Sequence, residues 1–264
     1  MPTVDADGCS LYYEAHGDGE PVAFVGDVGW GAWQWSAQHG GVAGPRKAIV
    51  WDLRGTGRSA APPGPYDVDR LAADLEAVLA AAGADRAHLV GAGLGGMVAL
   101  RYAREFGRAR SLALFGTAAT GEAVDAAALR ALHPAERTPA ALRASLTGAL
   151  TEAFRDAHPD LVERLLEWRE REDAPPAALE AQIAAMLGFE AGPRHEVGLP
   201  ALVCHGEADP VVPPAAGEAL AEALPRGEFV PVAGRHLAHL EAGPAVTDRL
   251  LGFFDRVEGD SVEG

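Results

Sequence analysis

The chain has 264 residues, 48% of them hydrophobic, which suffices for one large domain or two small ones around a substantial core. A formal net charge of -16, with Lys47 as the only lysine, argues against nucleic acid and anionic membranes as partners, because both call for basic patches. No run approaches the ~18 apolar residues of a membrane span. The stretch from Met1 to Gly8 is acidic and unlike a signal peptide, so a cytoplasmic protein is expected.

The N-terminal half alternates strand and helix signals. Leu11 to Ala15, Val22 to Val25 and Ala48 to Trp51 are short apolar runs bounded by Gly, Asp or Pro, the mark of strands. Val68 to Ala82 carries Leu71, Leu75, Val78 and Leu79 on one helical face, and Gly83 stops it. Leu89-Val90 then predicts a strand, Gly96 to Phe106 a helix and Ser111 to Phe115 another strand. Strands that are continuous apolar runs joined by helices imply a parallel sheet covered on both faces.

From about Thr120 to Pro193 the strand signals stop. The segment is helical, rich in Ala, Leu, Glu and Arg, and broken at Pro134, Pro139, Pro159 and Pro175-Pro176. The sheet pattern resumes at Pro200 to Cys204, followed by a helix from Pro214 to Leu224, a strand over Phe229 to Val232 and a helix from Pro244 to Val257. The tail after Asp255 is polar and expected to fray. Cys9 and Cys204 form no C-x-x-C pair and fall in predicted strands, as small buried hydrophobes do, and no metal or redox signature accompanies them.

The most informative stretch is His88 to Met97. It predicts a strand, a glycine turn and a helix start, with the shape of a G-x-S-x-G nucleophile elbow over Gly91 to Gly95. Gly93 stands where the nucleophile belongs. Gly91, Gly93 and Gly96 also match the dinucleotide fingerprint G-x-G-x-x-G, but the next strand, ending Leu114-Phe115-Gly116-Thr117, offers no acid for a ribose.

Four landmarks in order resemble the α/β-hydrolase superfamily: the loop Val25-Gly26-Asp27-Val28-Gly29-Trp30, the segment Asp52-Leu53-Arg54-Gly55-Thr56-Gly57-Arg58-Ser59, the elbow, and the paired loops Gly206-Glu207-Ala208-Asp209 and Gly234-Arg235-His236. The resemblance implies a mostly parallel sheet with helices on both faces, a core over 1–119 and 194–264, and an inserted helical cap over 120–193. It also implies Asp209 and His236 as acid and base, and the backbone N–H groups of Val28 and Leu94 as oxyanion donors. Two landmarks depart from the pattern: Gly26 stands for the usual His with Asp27 for the usual Gly, and Gly93 replaces the nucleophile.

Gly93 excludes an acyl-enzyme on the elbow, and likewise the alkyl-enzyme of relatives that carry an Asp there. The backbone donors survive that loss, each worth ~3 kcal/mol of barrier. His236, oriented by Asp209, remains as a general base worth ~10²–10⁴ in rate, and the room left at Gly93 is expected to admit a water. Asp27 is either a second proton-transfer group or a cap of a turn, and Trp30 a pocket wall or core. His205, Arg54, Asp52 and Ser59 read as structural, and His239 and Glu241 as loop contacts.

The expected function is therefore a His–Asp enzyme acting on a small ester, lactone or other carbonyl substrate, by direct water attack or by elimination, isomerisation or C–C chemistry, with no cofactor. A non-catalytic module binding a ligand or protein is the alternative, and a dinucleotide-binding protein a further one. Oligomeric state leaves no trace in the sequence. The acidic surface, scarce lysine and abundant Ala and Gly suggest a high-salt, haloarchaeal cytoplasm; the alternative is a GC-rich genome, which also replaces Lys with Arg and enriches Ala and Gly.

Overall fold

The computed structural model describes residues 2–260. The chain opens with β1 (Thr3–Ala6), β2 (Cys9–His16) and β3 (Pro21–Val25), then α1 (Ser36–Val42) and β4 (Lys47–Trp51). There follow α2 (Val68–Ala81), β5 (Ala87–Ala92), α3 (Leu94–Glu105) and β6 (Ala109–Phe115). Five helices come next: α4 (Ala126–Ala131), α5 (Pro139–Ala149), α6 (Glu152–Ala157), α7 (Pro159–Glu172) and α8 (Pro176–Leu187). The chain closes with β7 (Ala201–Gly206), α9 (Pro214–Ala223), β8 (Gly227–Val232), α10 (Ala238–Glu241) and α11 (Gly243–Asp260).

The eight strands form one sheet in the order β1-β2-β4-β3-β5-β6-β7-β8. β2 pairs antiparallel with β1 and β4, and all other pairs are parallel. Strands β3, β5, β6 and β7 are apolar along nearly their whole length because each is covered on both faces. One face packs α2, α3 and the helices between β6 and β7; the other packs Trp35, Val42, Leu250, Phe253 and Phe254. The sheet extends from β3 through β4 to β2 and β1 on one side, and from β5 through β6 to β8 on the other. The carboxyl ends of β3 and β5 therefore flank the switch point where such sheets place their ligands.

The sequence-predicted elements are present. β1, α1 and α10 are additional: β1 is a four-residue edge strand with one buried residue, α1 contains two glycines and α10 is a single turn, so none has a periodic apolar signal. The C-terminal helix corrects the expectation of fraying after Asp255. It continues to Asp260, where Val257 is buried, and Asp255 and Glu258 both pair with Arg46; residues 261–264 lie outside the described part. Cys9 and Cys204 are buried free thiols on β2 and β7. Among the described residues no helix is long and apolar enough to cross a membrane, and no group of three His, Cys, Asp or Glu is placed to hold a metal ion.

Candidate active site

The elbow forms as the sequence predicts. β5 ends at Ala92, Gly93 turns with φ 49° and ψ -114°, and α3 starts at Leu94. The turn is tight because the neighbouring glycines remove every obstruction. A β-carbon on Gly91 would strike the backbone of Gly95, one on Gly95 the Val25 carbonyl, and one on Gly96 the Thr117 side chain. The chain's own atoms thus fill the space around the G-x-G-x-x-G match. These glycines serve helix–strand packing and leave no cradle for a pyrophosphate.

The room expected for a water at Gly93 is also filled, which corrects that expectation. A β-carbon at Gly93 would overlap all three atoms of the Asp27 carboxylate. Asp27 leaves the end of β3, where Gln34 Oε1 accepts its backbone N–H at 3.0 Å, and its side chain crosses the switch point. Its Oδ1 accepts from Val28 N at 2.7 Å and from Leu94 N at 2.8 Å. These are the two amides that the resemblance assigns to an oxyanion. The structure brings them together, and Asp27 occupies both.

Asp27 Oδ2 lies 2.8 Å from His236 Nε2, and on the other side of the ring His236 Nδ1 lies 3.0 and 2.9 Å from Asp209 Oδ1 and Oδ2. Asp209 is oriented in turn by Val211 N and Val212 N at 2.8 and 3.1 Å. Ionised carboxylates only accept, so both ring nitrogens of His236 donate and the ring is an imidazolium. Burial alone would lower its pKa. The charge and hydrogen bond of Asp209, joined by the hydrogen bond and charge of Asp27, override burial and raise it to about 10. For Asp209 burial pushes upward, but the His236 charge and hydrogen bonds from His205 and His236 hold its carboxyl well below the usual carboxylate range. The ring is therefore not a free base while Asp27 stays in place. The three side chains are sealed from solvent, with exposures of 1%, 4% and 7% for Asp27, His236 and Asp209.

Trp30 stands beside this chain of charges, its ring 6.3 Å from that of His236 and 5.2 Å from His133. Trp30 also packs on Trp33, with ring centroids 5.8 Å apart. Trp33 stacks on Trp168, while Trp35 packs with Phe24, Phe115 and His239 on the opposite face of the sheet. Asp52 accepts from Ala32 N and Arg58 N, Arg54 pairs with Asp74 of α2, and Ser59 joins Tyr12 N to Asp52 O, all structural roles. His205 Nε2 is 2.8 Å from Val212 O, and Glu241 accepts from the Thr151 and Arg235 backbones.

Sequence reasoning missed Gln182, Gln34 and His133. Gln182 of α8 accepts from Gly29 N at 2.7 Å and donates to Arg54 O and Thr56 Oγ1 at 2.8 Å each. Ala174 N donates to Gly29 O at 2.8 Å. Both backbone groups of Gly29 are therefore held by the segment between β6 and β7. A polar residue within the apolar run Ala181-Gln182-Ile183-Ala184-Ala185-Met186 was the available signal.

This sheet order, elbow and acid–histidine geometry define a class, and the family profile for the alpha/beta hydrolase fold matches residues 46–243. The chain belongs to the α/β-hydrolase-fold family. It is 33% identical over 265 residues to the protein named carbamate hydrolase RutD of Variovorax paradoxus, covering 96% of this chain and 98% of that one. The RutD of Azorhizobium caulinodans is 37% identical over 103 residues, so the chain matches only 39% of that relative's length. A thermophilic esterase from Thermogutta terrifontis superposes with a TM-score of 0.82 at 26% identity, over 97% of this chain and 98% of the other.

Proposed function

We propose that the protein is a hydrolase of small ester, lactone or carbamate carbonyls that works without a serine, through the proton-transfer chain Asp27–His236–Asp209. The supporting observation is the double engagement of Asp27, one oxygen on the two amides and the other on His236. In this reading a substrate carbonyl oxygen takes the amides of Val28 and Leu94 from Asp27 Oδ1. The amides then face the charge that develops in the transition state. As Asp27 withdraws it takes the proton from His236 Nε2, so the ring becomes a neutral base when substrate arrives. It draws a proton from a water in the vacated space as the water attacks the carbonyl, and when the tetrahedral intermediate collapses the ring gives that proton to the departing oxygen or nitrogen. Asp209 orients the ring and stabilises the imidazolium that re-forms. The names of the relatives above agree with an ester-like carbonyl.

The segment over 120–193 serves as a cap in this reading and shapes access. A cleft of about 530 Å³ is lined by Leu132, Pro134 and Gly148 from that segment and by Pro210 and Arg235 from the core. Pro210 and Arg235 are the chain neighbours of Asp209 and His236, so in this reading substrate would enter the sealed site from this cleft. The test is turnover of activated esters, lactones and carbamates in molar salt by wild type and His236→Ala. Wild-type turnover that falls ~10²-fold or more in His236→Ala is expected; a folded wild type inert across the panel overturns the reading.

The filling of both amides by Asp27 favours one rival, a non-catalytic binding module. Ligand binding that His236→Ala leaves intact, together with the inert panel, would establish it.

A further inference from the structure

The two backbone donors at the switch point hold an oxygen of the protein itself. The reaction that uses them without displacing Asp27 is one in which the Asp27 carboxyl carbon becomes tetrahedral and Oδ1 carries the charge, namely hydrolysis of an ester formed on Asp27. We infer that Asp27, placed by β3 in the nucleophile position that Gly93 leaves open, is a covalent nucleophile toward small electrophiles at saturated carbon whose leaving oxygen needs a proton, epoxides above all. This goes beyond carbonyl hydrolysis, which requires Asp27 to leave the amides.

Oδ2 faces His236 Nε2 at 2.8 Å and makes no other hydrogen bond, whereas Oδ1 is held by Val28 N and Leu94 N. Oδ2 is therefore the attacking oxygen. It forms a bond to an epoxide carbon, the ring C–O bond breaks, and the ring oxygen takes the proton from His236 Nε2. The products are a neutral Asp27 ester and a neutral imidazole. That imidazole then accepts a proton from water as the water attacks the Asp27 carboxyl carbon, with negative charge on Oδ1 between the two amides. Collapse expels the diol oxygen, which takes the proton from His236. The Asp27 acid then returns a proton to the ring, restoring the starting charges. An alkyl halide would leave without needing that proton, so the acid form of His236, enforced by two carboxylates, selects for the epoxide.

The experiment uses wild-type protein and a sub-stoichiometric amount of styrene oxide in heavy-oxygen water with molar salt, followed by peptide mass analysis. The expected result is heavy oxygen on Asp27, with diol from the first turnover carrying oxygen of ordinary mass. Excess styrene oxide should show a transient adduct with the mass of the whole epoxide on the same peptide. Heavy oxygen only in the diol, or no diol from folded protein, overturns the inference. Label on Asp27 with an inert ester panel leaves it standing and removes the carbonyl reading; ester turnover with no diol does the reverse.

Discussion

Asp27 and Gly93 make each other possible, since the carboxylate lies in the volume that any side chain at the elbow would need. Restoring a serine alone therefore fails. Gly93→Ser is expected to gain no esterase activity and to lower the melting temperature, because the new side chain and the Asp27 carboxylate collide. The double variant Asp27→Gly/Gly93→Ser removes the collision, frees Val28 N and Leu94 N, and leaves His236 facing a hydroxyl. A burst of p-nitrophenol from p-nitrophenyl acetate by the double variant, absent in both single ones, is the expected reading. The charge on His236 has a second consequence. Its folded pKa, about 10, lies above the ordinary ~6.5, so its stabilisation is complete below that ordinary value and is lost as pH rises through about 10. Denaturant melts should show wild type losing more stability than His236→Gln between neutral pH and pH 10. At this scale the sequence disclosed Asp209, His236, Gly93 and the two amides through spacing and resemblance. It offered Asp27 as a second proton-transfer group but did not disclose that one of its oxygens would sit on the two amides, because that contact joins the ends of two strands and has no local signature.

Among the elements, the β3–β5–α3 unit sets the site. Gly95 lets α3 approach β3 so closely that a methyl group there would meet the Val25 carbonyl. Gly95→Ala is accordingly expected to cost ~4 kcal/mol or more and to leave little soluble protein, read by expression and melting. A polar fastening also lies behind the Asp52–Ser59 turn, where Arg54 Nε meets Asp74 Oδ2 of α2 at 2.5 Å with both side chains buried. Asp74→Ala strands the guanidinium and should cost ~3–5 kcal/mol in a urea titration. Strands β2 to β8 and the long helices were legible because their apolar runs are strong. β1 and α1 were not, since an exposed edge strand and a glycine-containing helix derive their stability from packing alone.

On the scale of the whole molecule, the net charge of -16 acts through self-repulsion, which added salt screens. The melting temperature is expected to rise from dilute buffer to molar salt; a flat profile would overturn adaptation to a saline cytoplasm and leave genome bias to account for the scarce lysine and abundant Ala and Gly. The hydrogen bonds of Gly29 bear on how such proteins are remodelled. Gln182 holds its N–H and Ala174 holds its carbonyl, so the backbone next to Val28 takes its position from the helical segment above it. That segment is thus no interchangeable cassette. A chimera that receives a foreign helical segment lacking a glutamine and a free amide at these two places would inherit the sheet, the elbow and the histidine, yet lose the alignment of the loop that carries Asp27. Recombination would succeed only by transplanting the loop and the helical segment as one hereditary unit.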